Sequence, residues 1–478
     1  MRSQAMFFAE RAAVKALDRD LQKKMANARP LFVGKRQAAM LGLSDDRLAF
    51  EELRAASQAI RERVVSNLDV WLEIFEERAR ANGAEVLWAR DGAEVARLAV
   101  ELAERHGVRK VVKSKSMLSE EADLNHAFAA AGIESIETDL GEYIVQLAKE
   151  APSHLIAPAI HKSRDDVADL FAEHHGKPRQ TDISAMTREA RAVLRQHFLS
   201  ADMGISGANF LVAETGSAAL VTNEGNGRMV TTLPRLHVVI TGIEKIVPNL
   251  DDLATLLRIL PRSATGQSIS NYVSLLTARP SVAGEAAGDP ERMGPEKMVF
   301  ILVDNGRAGL VGSEYQDMLR CIRCSACMNH CPVYFSIGGH AYGWVYPGPM
   351  GSVLTPLLTG LKNALDLPHA STGCNQCGAV CPVGIPLPEL MHKLRRQAVD
   401  QGLRPWSERL AFKAWAWLAR QPALYRWVTR RASRYLKWLG DERGQIQVLG
   451  MAPGWTFGRT LAAPPGRSFQ ELYAARKK

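Results

Sequence analysis

Seven cysteines fall between positions 321 and 381, and the chain has no others. The first four read Cys321-Ile-Arg-Cys324-Ser-Ala-Cys327-Met-Asn-His-Cys331-Pro332. This is the C-x2-C-x2-C-x3-C-P run in which thiolates hold a [4Fe–4S] cube. The other three read Cys374-Asn-Gln-Cys377-Gly-Ala-Val-Cys381-Pro382, the same run with Ser371 where its first cysteine would stand. Two-residue gaps let successive sulfurs curl around one cube. The Cys-Pro step then turns the chain away, because proline fixes φ and donates no N–H. In two-cluster ferredoxins the fourth cysteine of each run ligates the other cluster. One [4Fe–4S] cluster is therefore expected on Cys321, Cys324, Cys327 and Cys381. A second is expected on Cys331, Cys374 and Cys377. Its fourth place is open to Ser371, to His369, or to no residue, which gives [3Fe–4S]. An odd cysteine count argues against a disulfide framework, and a third cysteine two residues on is surplus to a zinc site.

A second candidate site is Lys113-Ser-Lys115-Ser116, between a predicted strand and a helix carrying Glu120 and Glu121. In open α/β sheets, ligands bind beyond the carboxyl ends of the strands. A helix N-terminus there offers free N–H groups and two lysines add charge, so a small carboxylate or phosphate is the expected ligand. The bland reading is a solvated loop with a serine cap. Ala213-Glu214-Thr-Gly216 and Asn223-Glu224-Gly-Asn226 are polar clusters at strand ends that either line the same crevice or are turns. The chain has no GxxxxGK[ST], no GxGxxG after a strand and no HExxH, so ATP, dinucleotide and zinc-protease chemistry lack support.

The elements that must position these residues follow from periodicity. Residues 1–80 read as a helical arm, with apolar residues at helical spacing in Leu53–Val64 and Val70–Phe75. Residues 81–312 read as an α/β domain. Glu85–Ala89, Arg109–Val112 and Ile133–Glu137 are predicted strands, separated by helices at Ala93–His106 and Glu120–Ala131. That βαβαβ order implies a parallel sheet. Phe210–Glu214, Ala218–Thr222, Met229–Leu233 and His237–Thr241 are further predicted strands, with a hairpin turn at Asn223–Gly227. Residues 313–400 hold the cysteines. The 42 residues between Cys331 and Cys374 are too many for a compact β-ferredoxin and predict a helical two-cluster module, with Leu354–Leu361 and Leu387–Arg396 helical.

Residues 401–478 form a basic, Trp-rich helical region. Of the net charge of +9, Arg404 to Lys437 carries nine basic residues against Glu408 alone. Leu424, Trp427, Val428, Tyr435 and Trp438 fall on one helical face, with Arg426, Arg430, Arg434 and Lys437 on another. Such a helix either packs with a solvated Arg face or meets a membrane surface or acidic partner. Peripheral contact with the inner face of the cytoplasmic membrane through residues 404–438 is the preferred special reading, and no nucleic acid is expected. No run is long and apolar enough to span a bilayer. Unpaired cysteines and an N-terminus with acids in its first apolar stretch predict a cytoplasmic protein.

One family carries these residues in this order. Lys113-Ser-Lys-Ser-Met117, Glu137-Thr-Asp-Leu-Gly-Glu-Tyr143, Pro152-Ser-His154 and Pro158-Ala-Ile-His161 come first. Gly207-Ala-Asn-Phe210, Asn223-Glu-Gly-Asn-Gly-Arg228, Gly242-Ile-Glu-Lys245 and Asp304-Asn-Gly-Arg307 precede the cysteine runs. Over roughly residues 5 to 440 the chain resembles the lactate-utilisation protein B family, iron–sulfur proteins with a LUD domain. The resemblance implies a NagB/CoA-transferase-like α/β fold for that domain. It implies action with lactate-utilisation proteins A and C in oxidising L-lactate to pyruvate, with this chain as an electron-transfer subunit delivering to an unidentified acceptor. It also implies a small polar residue at the position of Ser371. The chain departs from the family at Gly373-Cys374-Asn-Gln-Cys377, where Leu-Cys-Gly-Ala-Cys is usual; the ligands survive, so a tuned potential is expected. Should lactate bind in the crevice, Lys113 or Lys115 would neutralise its carboxylate and Glu214 would accept a proton. The alternative is a small-anion-binding or acyl-transfer enzyme using Glu214, with structural clusters.

Overall fold

The computed structural model describes residues 3–42, 47–270, 272–279, 294–450, 456 and 459–476. The chain divides into two compact units, Met1–Gln397 and Ala398–Lys478.

The centre of the first unit is a six-stranded sheet. Its strands are β1 (Glu85–Ala89), β2 (Lys110–Lys113), β3 (Glu134–Glu137), β4 (Met203–Ser206), β7 (Leu236–Gly242) and β10 (Lys297–Val303), in the order β1-β10-β7-β4-β2-β3. Every pairing in it is parallel. The central strands are continuous apolar runs, as strands covered on both faces require. Leu236, Val238, Ile240, Val299, Ile301 and Val303 join one buried cluster with Val95, Ala99 and Leu102. Those last three stand at i, i+4 and i+7 on the helix Gly92–Arg105 and so form one face. Asp91 caps that helix by accepting from the Glu94 N–H at 2.9 Å.

A second sheet is made of β5 (Phe210–Val212), β6 (Ser217–Thr222), β8 (Ile246–Val247) and β9 (Tyr272–Leu276), in the order β8-β5-β6-β9.

Three sequence expectations fail here. The predicted helix Glu120–Ala131 is two helices, Met117–Glu121 and Leu124–Ala130, broken at Asp123 with φ of 57°. Aspartate visits that left-handed region more readily than most residues. The predicted strand Met229–Leu233 lies mostly in a helix, Asn226–Thr232. Its Val230 carbonyl packs so close to Gly204 that a Cβ there would lie 1.9 Å from the oxygen. That long-range contact overrides the local β-propensity of Met-Val-Thr-Thr. The hairpin turn is therefore not at Asn223–Gly227 but at Ala213–Gly216, between antiparallel β5 and β6.

The N-terminal helices Arg19–Leu41 and Arg47–Ser66 tie the sheets to the cysteine segment through arginines, Arg61 and Arg36 buried and Arg54 half-buried. Arg61 donates to the carbonyls of Ile246 (2.7 Å) and Leu319 (3.0 Å). Arg36 donates to Val380 O at 3.0 Å, and Arg54 to Cys381 O at 2.8 Å. The cysteine segment is built from short helices, including Ala326–Asn329, Pro332–Ile337, Gly348–Thr359 and Gln376–Ala379, followed by Leu387–Asp400.

The second unit holds the helices Trp406–Ala419, Pro422–Trp438 and Phe469–Arg476. Trp406, Phe412, Trp415, Trp417, Trp427 and Trp438 are all exposed. Among the described residues no helix is long and apolar enough to cross a membrane.

Candidate functional site: two thiol groups and a crevice

The two cysteine runs follow the same path. Ser325 (φ 62°) and Asn375 (φ 58°) stand one residue after Cys324 and Cys374, each at the start of a one-turn helix. Each run closes with an N–H of its last cysteine donating three residues back, Cys331 to Met328 O (3.0 Å) and Cys381 to Gly378 O (3.2 Å). One residue before Cys324 and Cys374 the chain again takes a left-handed turn, at Arg323 (φ 60°) and Gly373 (φ 74°). Glycine adopts this freely; an arginine there is strained and must be held by its surroundings.

The sulfurs gather in two groups. Cys321, Cys324, Cys327 and Cys381 line one void of about 20 Å³. Burial, followed by the charge of Cys381, pushes the Cys324 thiol up to about 12. Burial, then Cys321, raises Cys327 well above the usual thiol value. Cys331, Cys374 and Cys377 form the other group. Burial, then Cys331 and more weakly Cys374, pushes Cys377 up to about 12. Cys374 is exposed and marks the surface end of this group. Crowded, dry thiolates need a cation to stay ionised, and thiolate-bound iron is such a partner. Backbone N–H groups already point at two of the sulfurs, Ile385 N at 3.3 Å from Cys381 Sγ and Tyr334 N at 3.5 Å from Cys331 Sγ. The donor set fits iron–sulfur clusters. Ser371 Oγ accepts from Gly373 N at 3.1 Å in this loop, and His369 is exposed.

Beyond the carboxyl ends of β2, β4 and β7 lies a crevice of about 330 Å³. That is near the lower end of small-molecule sites, roughly 300–1,000 Å³. Lys115 lines it and donates to Ile156 O at 2.6 Å. Lys113 does not line it. Its side chain is fully buried, paired with Glu137 and donating to Asn125 Oδ1 at 2.9 Å. Successive residues of a strand point to opposite faces, and the β2 register sends Lys113 inward. Glu214 does not line it either. Exposed in the β5–β6 turn, it accepts from Leu250 N at 3.0 Å and so caps the helix Leu250–Ala264. Glu224 is the acid of the polar clusters that does reach the crevice, where burial and then Asp139 raise its pKa.

Sequence reasoning assigned no role to the crevice residues Glu244, Lys245, Arg307, Arg323 and Tyr346. The first three sit in segments that carry the family resemblance, and that was the only signal for them. Arg307 grips Glu121 with both terminal nitrogens, each 3.0 Å from a carboxylate oxygen, and reaches Glu244 Oε2 at 2.9 Å. Tyr346 OH donates to Glu121. Arg323 donates to Glu244 Oε1 at 3.2 Å and lies 4.9 Å from the Tyr346 ring centroid. Burial works to raise the Glu244 pKa, but Arg307 and then Arg323 outweigh it and hold it at about 2. These contacts hold the strained Arg323 in place. Because Arg323 stands between Cys321 and Cys324, it forms a wall shared by the crevice and the first thiol group.

His154 joins the α/β part to the second turn of the first cysteine run. Its Nδ1 accepts from Ile156 N (3.0 Å) and Ala157 N (3.1 Å), and its Nε2 faces Asn329 Oδ1 at 2.8 Å. Two donors on Nδ1 leave no room for a proton there. Burial holds His154 at about 4, and likewise His237, which bonds Ser206 Oγ at 2.8 Å. Unfolded, both take up protons near pH 6.5. The unfolded chain thus binds more protons between about pH 6.5 and 4, so stability falls as pH drops through that window. The expected slope is about 1.4 kcal/mol per pH unit for each histidine. Anaerobic urea unfolding at pH 7, 6 and 5 measures it, and a midpoint that stays constant contradicts this account.

The chain is similar to known proteins over nearly its whole length. Residues 72–303 match the LUD domain, 317–385 the 4Fe-4S dicluster domain, and 392–478 the C-terminal region of lactate utilisation protein B. It is 42% identical to lactate utilization protein B of Bacillus licheniformis over 90% of this chain and 89% of that one. It is 41% identical to the protein of the same name from Bacillus subtilis, over 90% and 88%. An Escherichia coli protein named as an electron transport protein is 41% identical over 95% of this chain and 93% of its own. With an α/β LUD domain, a cysteine segment fit for iron–sulfur clusters and a matching C-terminal region, the chain belongs to the lactate utilisation protein B family.

Proposed function

We propose that this chain is the electron-transfer subunit of a multi-protein system that oxidises L-lactate to pyruvate, working with lactate-utilisation proteins A and C. The observation that carries the reading is the position of Arg323, which lines the crevice and separates two cysteines of the first thiol group. The second thiol group ends at the exposed Cys374. Crevice, first group, second group and surface thus form one series. In this reading Cys321, Cys324, Cys327 and Cys381 hold one [4Fe–4S] cluster. Cys331, Cys374 and Cys377 hold the second, with its fourth place filled by Ser371 or His369 or left open. Iron–sulfur clusters there supply one-electron carriers. The protein's own residues do the rest. Arg36, Arg54 and Arg61 fix the cysteine segment against the N-terminal helices, and the backbone N–H groups of Tyr334 and Ile385 donate to sulfur. The family's lactate role supplies the substrate. An acyl-transfer enzyme built on Glu214 has no such support, because Glu214 caps a helix outside the crevice.

The test is low-temperature EPR with an iron count on protein purified anaerobically with its partners, before and after L-lactate. Reduced-cluster signals on adding lactate support the reading. Clusters that dithionite reduces but lactate does not would remove the substrate assignment.

The basic C-terminal unit suits an anionic membrane surface, since its exposed tryptophans accompany Arg426, Arg430, Arg431 and Arg434. The expected result is cosedimentation with anionic vesicles that weakens as salt rises. Binding to neutral vesicles of equal strength argues against it.

A further inference from the structure

The crevice holds a buried amine without a hydrogen-bond or ion-pair partner among the described residues, and burial, then the charge of Arg323, lowers its pKa to about 7. Lys245 is 9% exposed and lines the crevice wall. Among the described residues, no hydrogen bond or ion pair engages its Nζ. The neighbouring cations are all engaged: Lys115 with Ile156 O, Arg307 with Glu121 and Glu244, Arg323 with Glu244. Charging a buried amine that no carboxylate touches is costly, and an anion placed beside it offsets that cost. A second unsatisfied group lines the same space. Ser114 is 2% exposed, and its Oγ has no hydrogen-bond partner. Both groups are satisfied if an acceptor-rich anion occupies the crevice.

The charge count narrows its chemistry. Lys245 has no hydrogen-bond partner among the described residues and Lys115 bonds only a neutral carbonyl, while Glu224 and Asp139 also line the wall. A dianion such as a phosphate ester wants several donors and cations, ideally with arginine. A monoanionic carboxylate matches a single ammonium and is less repelled by the acids.

We propose that Lys245 binds the carboxylate of a small 2-hydroxy or 2-oxo acid in the crevice, with Ser114 offering its hydroxyl to the same ligand. The role expected of Lys113 or Lys115 is thus assigned to Lys245, because Lys113 lies outside the crevice and Lys115 is engaged by Ile156 O. The proposal rests on the proposed role in lactate oxidation, takes the crevice as the lactate site, and names the residue that recognises the acid. An acid held there lies on the crevice side of Arg323, next to the first thiol group.

The experiment is calorimetric titration of the anaerobic, cluster-loaded protein with L-lactate, pyruvate and the neutral lactamide. The wild type should bind both acids and not the amide. Lys245→Met should weaken the acids by roughly tenfold to a hundredfold, the worth of one charge-assisted bond, with iron content and cluster EPR signals unchanged. If Lys245→Met binds the acids as the wild type does, the proposal is overturned while the crevice remains the lactate site. If the wild type binds neither acid, the lactate-site reading falls and the proposal with it. A measurement on the wild type alone guards against a variant that fails to fold. Acetic anhydride labelling followed by mass spectrometry should show Lys245 protected by saturating L-lactate, and equal labelling with and without lactate overturns the proposal.

Discussion

Cys327→Ser is expected to remove one cluster and to abolish reduction of the chain by L-lactate. Cys374→Ser is expected to leave the crevice-side cluster in place. Cys327 is half-buried in the void it shares with Cys321, Cys324 and Cys381, and a serine hydroxyl there is a far poorer partner for iron than a thiolate. Iron should fall by about half from on the order of seven or eight atoms per chain, the content of one cube with a [3Fe–4S] cluster or a second cube. Lactate-dependent reduction should drop at least about a hundredfold, more than the 10–100-fold typical of losing a partner one shell out. Cys374 is exposed at the far end of the other group, so its loss should spare the first cluster's EPR signal. Cys381→Ser is the sharpest member of the series. It lies in the second run, yet it shares a void with Cys321, Cys324 and Cys327, so it should erase the same signal as Cys327→Ser. Iron and sulfide assays with EPR on the three variants decide the matter. Should Cys381→Ser match Cys374→Ser instead, the crosswise grouping is wrong.

What the sequence showed and what it hid have a common physical origin. Cysteine spacing is local and ligand geometry is local, so the two runs could be read directly. The first three strands were legible for a similar reason: each is a short β-prone stretch beside a helix with a single apolar face, in a regular strand–helix alternation. Met229–Leu233 was misread because its conformation is set by Gly204, a residue on a different strand. The crevice was the hardest part. Its location followed from the α/β order, but the identity of its charges did not. Lys113 and Lys115 are two residues apart, and spacing alone treats them alike; the sheet buries Lys113 against Glu137 and leaves Lys115 at the edge. Glu121, Glu244, Arg307, Arg323 and Tyr346 come from five separate segments, and only the folded chain brings them together.

That five-residue network carries the other large expected effect. Glu244→Gln should destabilise the folded protein by about 3–5 kcal/mol, the usual cost of breaking a buried ion pair from one side. Glu244 is buried and faces two guanidiniums, those of Arg307 and Arg323. The amide keeps the shape of the side chain but removes the charge both arginines require, and its NH2 presents donors to donors. Arg307 retains Glu121, so the loss should concentrate on Arg323, which among the described residues has no second carboxylate and holds a strained left-handed backbone. The variant should therefore perturb the first cluster's EPR signal as well as the unfolding midpoint. The pH dependence supplies an independent check. In the folded protein Glu244 is held at about 2, against 4.5 for an ordinary glutamate. Its contribution is thus fully present above about pH 4.5 and is lost as pH falls towards 2. Urea unfolding of the wild type should steepen its decline through that window, and Glu244→Gln should be flatter there. A variant that loses less than about 1 kcal/mol, or keeps the wild-type slope below pH 4.5, would show that Glu244 is not the centre of the network. Arg307→Lys extends the argument to geometry. It preserves the charge but not the two-pronged grip on Glu121, and it should still cost a substantial part of the Glu244→Gln effect, because lysine does not reproduce a planar fork.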